Sequence, residues 1–122
     1  MMTRIVPALV GLACAATLGF SAPAAAVTNE YPVAHVKHQN SNMVIVLIHP
    51  RFFRGSSADQ LRWFTAVEQC VRSVKLAGQT LVVANDNGRY RFYGPKRWHN
   101  FMLTLDLNWV HARLNKALTC NF

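Results

Sequence analysis

The chain has 122 residues, is 52% hydrophobic, and carries 13 Lys and Arg against five Asp and Glu, a formal net charge of +8. Its length allows one hydrophobic core and is too short for two. A surface this basic favours anionic partners, namely lipid headgroups, acidic glycans or acidic proteins, and argues against an inhibitor of basic enzymes, whose contact surface would be acidic.

Residues 1–26 read as a cleaved secretory signal. Arg4 supplies the positive start, residues 5–20 an apolar run interrupted by Pro7 and Gly11, and Ala24-Ala25-Ala26 the pair of small side chains that signal peptidase requires. The run is shorter than the roughly 20 residues of a bilayer span, so no transmembrane segment is expected in the mature chain. Cleavage places the mature N-terminus at Val27, makes 27–122 a single basic domain, and directs it to the periplasm or beyond. Cys14 leaves with the signal. Setting Arg4 aside leaves 12 cationic residues against five acids in the mature chain.

Residues 33–38 predict a first strand and 43–48 a second, with a turn at Asn40 to Asn42 between them. The second is apolar at every position and rich in β-branched residues, the pattern of a central strand covered on both faces. A loop at 51–55 follows. Residues 57–77 predict the clearest helix: Ser57 and Gln60 fit a capping box, and Gly78 suits the position after the last turn. Trp63, Phe64, Val67, Cys70, Val71, Val74 and Ala77 recur at three- and four-residue spacing and form one apolar stripe.

Residues 80–84 and 89–93 predict an antiparallel hairpin around Asn85-Asp86-Asn87-Gly88. From Pro95 onward the pattern is helical. Trp98, Phe101, Met102 and Leu105 form one stripe and Leu107, Val110, Leu114, Ala117 and Leu118 another, out of phase, with Asp106 placed to cap a second helix. The predicted order is ββαββαα, an α+β fold with a four-stranded, mostly antiparallel sheet and its helices packed on one face. Strands two and three are parallel if adjacent, because a helix joins them. Cys70 and Cys120 are an even pair in an exported chain, which predicts a disulfide. It closes a loop of 50 residues, for which chain entropy gives about 4 kcal/mol.

Alternation along 89–93 puts Arg89, Arg91 and Tyr93 on one sheet face and Tyr90 and Phe92 on the other. With Tyr90 and Phe92 toward the helices, the first group faces solvent and forms, with Lys96 and Arg97, a cationic surface around an apolar centre. Arg51 and Arg54, in the aromatic-basic run Arg51-Phe52-Phe53-Arg54, extend the candidate binding set. Interleaved arginines and aromatics also occur in single-strand nucleic-acid binders, but an exported address weighs against nucleic acid. His99, His111 and Lys96 are the candidate catalytic residues, since two imidazoles and a lysine suffice for phosphodiester cleavage. His35 and His38 point to opposite faces of a strand, so no metal site is expected, and no cofactor motif is present. The leading expectation is a small, non-catalytic, exported module that binds an anionic lipid, a glycan or an acidic protein. The alternatives are a basic hydrolase of phosphodiesters or glycans and a structural subunit of an envelope or secretion assembly.

Overall fold

The computed structural model describes residues 28–121. The signal-peptide reading therefore lies outside the described residues. The elements are β1 (Thr28–His38), β2 (Ser41–Leu47), α1 (Ser57–Ser73), β3 (Gln79–Asp86), β4 (Arg89–Tyr93), α2 (His99–Leu103), α3 (Leu107–Ala112) and β5 (Lys116–Asn121). Short 3-10 turns occupy Pro50–Arg54 and Lys96–Trp98.

The fold is α+β, with one mixed five-stranded sheet in the order β4-β3-β2-β1-β5. β2 is central, as its continuous apolar run predicts. It pairs with β3 in parallel, Met43 opposite Gln79 and Leu47 opposite Val83, and the remaining neighbours are antiparallel. The parallel pair is the consequence of the crossover through α1.

The strand count and the one-sided packing both need correction. Val33, Val44, Val46 and Val82 pack with Phe64, Val67 and Val71 of α1, whereas Ala34, Met43, Ile45, Leu81 and Val83 pack with Met102 of α2 and Val110 of α3. Helices therefore cover both faces, because β2 and β3 are apolar on both and each face must lose its water. The fifth strand is 116–121, predicted as helix. Leu118 and Cys120 are buried while Lys116, Ala117, Thr119 and Asn121 are exposed, a two-residue period. A spacing of Leu114, Ala117 and Leu118 fits a helix equally well, and pairing with β1 decides for the strand.

α1 begins one residue earlier at its cap than the sequence pattern predicts: Ser56 Oγ accepts from Asp59 N at 3.1 Å, and the Gln60 amide donates back to the Gly55 carbonyl at 3.0 Å. It ends at Ser73, before Gly78. Lys75 takes the left-handed conformation (φ 62°), donating to the Arg72 carbonyl at 3.0 Å, while Leu76 N donates to Val71 O at 3.3 Å. This is a Schellman closure with lysine in the usual glycine position. Leu76 folds back on the α1 face of the core. In the C-terminal third Asp106 caps α3 as its position predicts, accepting from Trp109 N at 2.7 Å. The Cys70–Cys120 disulfide is present and ties α1 to β5.

Candidate functional site

The crossover from β2 to α1 builds an apolar depression on the surface. β2 runs out at Leu47, Ile48 N donates to the Val83 carbonyl at 2.9 Å, and Pro50–Arg54 then coils into a 3-10 turn. His49 caps that turn: its Nδ1 accepts from Arg51 N at 3.0 Å, so neutral His49 carries its ring proton on Nε2. Between the turn and the first half of α1 lies a groove of about 540 Å³, within the range of small-molecule sites. Ile48, Phe52, Trp63, Ala66 and Val67 supply its apolar lining, with His49, Arg51 and Arg62 among the residues that line it.

Trp63 is placed by a close approach. A Cβ on Gly55 would come within 2.7 Å of the indole ring, so only glycine lets the ring lie there. The ring also sits 6.0 Å from that of Phe52. It remains 37% exposed, which leaves apolar surface on the groove side. Of the two arginines, Arg62 is paired with Asp59 at 2.6 Å, and its hydrogen bond holds the Asp59 carboxyl below the usual carboxylate range. Arg51 makes no ion pair among the described residues.

A second depression, of about 590 Å³, lies where the end of α1 meets the starts of β2 and β3. It is polar, and Arg72, Arg97 and Trp98 line it together with Glu68, Asn42 and Gln79. The Trp98 indole N–H is buried and meets no acceptor among the described residues. The indole is therefore held by ring packing and not by a hydrogen bond of its own, while its backbone N–H donates to the Pro95 carbonyl at 2.9 Å.

The predicted binding residues are dispersed over these features. Arg51 lines the groove. Arg54 and Arg91 converge on one carboxylate, Asp86, at 2.7 and 3.5 Å, and the Arg91 guanidinium also lies 5.1 Å from the centre of the Phe53 ring. Tyr93 does not face solvent as predicted: it packs on Phe52 and Phe64 at 5.3 and 5.1 Å, because that sheet face is the one α1 covers. Tyr90 and Phe92 do face helices, those of the other side, and Tyr90 donates to the Met102 carbonyl at 2.9 Å. Arg89 opens β4, while Lys96 and Arg97 follow its far end, roughly 14 Å away along an extended strand. A single patch across all four basic residues is thus stretched along an edge strand.

His99 starts α2, with Nε2 hydrogen-bonded to the Gly94 carbonyl at 2.9 Å and its ring edge-on to Phe92. His111 lies in the last turn of α3 and is exposed, and Lys96 opens the second 3-10 turn. None of the three lines either depression. Among the described residues no three His, Cys, Asp or Glu side chains cluster to hold a metal ion, and no helix is long and apolar enough to cross a membrane.

Sequence reasoning missed Trp63, His49 and Arg62 as groove residues and Arg72 as a cleft residue. Trp63 was available as a signal: it adjoins Phe64, and neighbours in a helix stand about 100° apart, so one of the two must leave the centre of the stripe. Compared with known proteins, the chain matches no family model, no curated protein and no solved structure.

Proposed function

We propose that this chain is an exported, non-catalytic binding module that takes an anionic amphiphile of the cell envelope in the groove between the 3-10 turn and α1. One combination carries the reading: an apolar groove floored by Phe52 and Val67 and walled by Trp63, with the unpaired guanidinium of Arg51 beside it. An acyl chain loses water against the aromatic wall while an anionic headgroup meets Arg51 and the Nε2–H of His49. The groove lies beyond the carboxyl end of β2, the side of a parallel strand pair where ligands commonly bind. The excess of cations raises the local concentration of any such anion. Export is supported by the pattern of residues 1–26 and by a disulfide, which persists in oxidising compartments.

The test is calorimetric titration with dodecyl phosphate and dodecyl maltoside below their micelle concentrations, alongside sedimentation with phosphatidylglycerol and phosphatidylcholine vesicles. The phosphate amphiphile and the anionic vesicles should bind at least tenfold more tightly than their neutral counterparts. Binding should weaken with salt, as screening shortens to about 10 Å at 0.1 M. Trp63→Ala should remove affinity for both amphiphiles, and Arg51→Glu the preference for the anionic one. Equal affinity for the two headgroups, or none for either, overturns the reading. Intact mass of the exported product tests the address: it should begin at Val27.

A further inference from the structure

The polar cleft at the end of α1 shares no lining residue with the groove, so what it binds is a separate matter. Two guanidinium groups border it from different elements, Arg72 from the last turn of α1 and Arg97 from the 3-10 turn after β4. Neither makes an ion pair with an acid among the described residues. Arg97 is nevertheless held in place. Its Nη2 donates to Gln79 Oε1 at 3.2 Å, the Gln79 amide donates in turn to the Thr80 carbonyl at 3.2 Å, and the guanidinium carbon lies 5.7 Å from the centre of the Trp98 ring. All of these partners are neutral. The charge is therefore oriented without being cancelled, and most of the five guanidinium donors stay available.

The floor is equally fixed. Gly78 has φ +129°, and a Cβ there would stand 2.5 Å from the Asn42 carbonyl oxygen, so the turn after α1 can close onto the start of β2 only with glycine. The cleft then offers cations, the neutral amide of Asn42, one carboxylate in Glu68 and an aromatic wall in Trp98.

We propose that this cleft is a binding site for a carboxylated sugar, the uronic-acid unit of an acidic glycan. A planar carboxylate matches the forked donors of Arg72 and Arg97. Sugar hydroxyls donate to Glu68 and accept from Asn42, and the carbon face of the ring packs on Trp98. A simple oxyanion uses only the arginines and is opposed by Glu68. That carboxylate is what favours a hydroxyl-bearing ligand over a phosphate.

The experiment is titration of the full chain with a tetramer of galacturonic acid, its neutral galactose counterpart and inorganic phosphate, read by calorimetry and by amide chemical shifts. The acidic tetramer should bind at least tenfold more tightly than the neutral one. Arg72→Gln and Arg97→Gln should each weaken it at least fivefold, and Arg97→Lys should fail to restore it. Glu68→Gln should weaken the sugar but strengthen phosphate. Amides of Arg72, Gly78 and Gln79 should shift on titration while those of Ile48 to Val67 stay still, and Trp63→Ala should leave sugar binding intact even if the groove binds nothing. Equal affinity for the neutral tetramer, phosphate displacing the sugar at equal concentration, or shifts confined to the groove would each overturn the assignment. Shift mapping on the unaltered protein keeps the test decisive if a variant fails to fold.

Discussion

The side chain of Asn115 satisfies both backbone polar groups of His35: Oδ1 accepts from His35 N at 2.8 Å and Nδ2 donates to His35 O at 2.9 Å. With Asn115 N donating to Val33 O at 2.9 Å, the residue acts as one further rung of the β1–β5 ladder. Asn115→Ala leaves both groups of His35 to find other partners, and because these bonds are exposed and water can replace them, a cost of about 0.5–1.5 kcal/mol is expected. Asn115→Asp keeps the acceptor and turns the donor into an oxygen facing the His35 carbonyl, so it should be no better. Urea unfolding checks both variants, and midpoints unchanged from the parent protein would refute the role.

β5 is also held from the other side by the disulfide. Cys70→Ser or Cys120→Ser should lower stability by roughly 2–5 kcal/mol, the range for removing a native bridge from a small domain. The loss should fall first on β5, the edge strand it pins. In the Cys70→Ser variant, hydrogen exchange at Leu118 and Cys120 should be accelerated over the parent by more than at β2 amides. Uniform acceleration across the sheet would argue against a local clamp.

How far the sequence reveals this fold depends on how many interpretations each apolar pattern allows. The run of β2 is too short for a buried helix and rich in β-branched residues, which decides for a strand buried on both sides. The Asp106 cap rests on local chemistry that tertiary packing did not alter, and the Cys70–Cys120 pairing on the even number of cysteines left after the signal. β5 was illegible because six residues containing Leu118 and Cys120 satisfy a period of two as well as one near four, and the deciding term is the distant partner strand. The side of the sheet on which each helix packs is likewise a tertiary fact. The candidate site was half legible. Arg51 and Arg97 are visible as cations among aromatics, whereas Trp63 reads as core until the position of Gly55 beneath its ring is known.

The Asp86 carboxylate distinguishes two arginines that alternation along β4 treats alike. Arg91 lies 3.5 Å from Asp86 and over the Phe53 ring, whereas Arg89 is exposed and makes no ion pair among the described residues. Arg91→Glu sets a second carboxylate against Asp86 and removes the cation from Phe53, so a loss of about 1–2 kcal/mol is expected even after allowing for solvent screening. Arg89 stands directly opposite Asp86 across the turn without closing an ion pair on it, so Arg89→Glu should cost less, within about 1 kcal/mol of the parent. Thermal unfolding of the two single variants checks the order. A larger effect at position 89 would contradict the geometry.

Tyr90 gives the fold a dependence on alkaline pH. Burial against the α2–α3 side, with a smaller contribution from the nearby Asp106 charge, pushes its phenol well above the ordinary value near 10. The hydroxyl also donates to the Met102 carbonyl, a bond that ionisation would abolish. In the unfolded chain the phenol ionises near pH 10, while in the folded chain it keeps its proton, so above that pH the folded state binds more protons. Stability contributed by this residue is therefore complete below pH 10 and declines as pH rises from there toward the elevated folded value. Absorbance titration should show a phenol step well above pH 10, and that step should vanish in Tyr90→Phe. The slope of unfolding free energy against pH above 10 should flatten in the same variant. A Tyr90→Phe protein with an unchanged late ionisation would place the raised group elsewhere and refute the assignment.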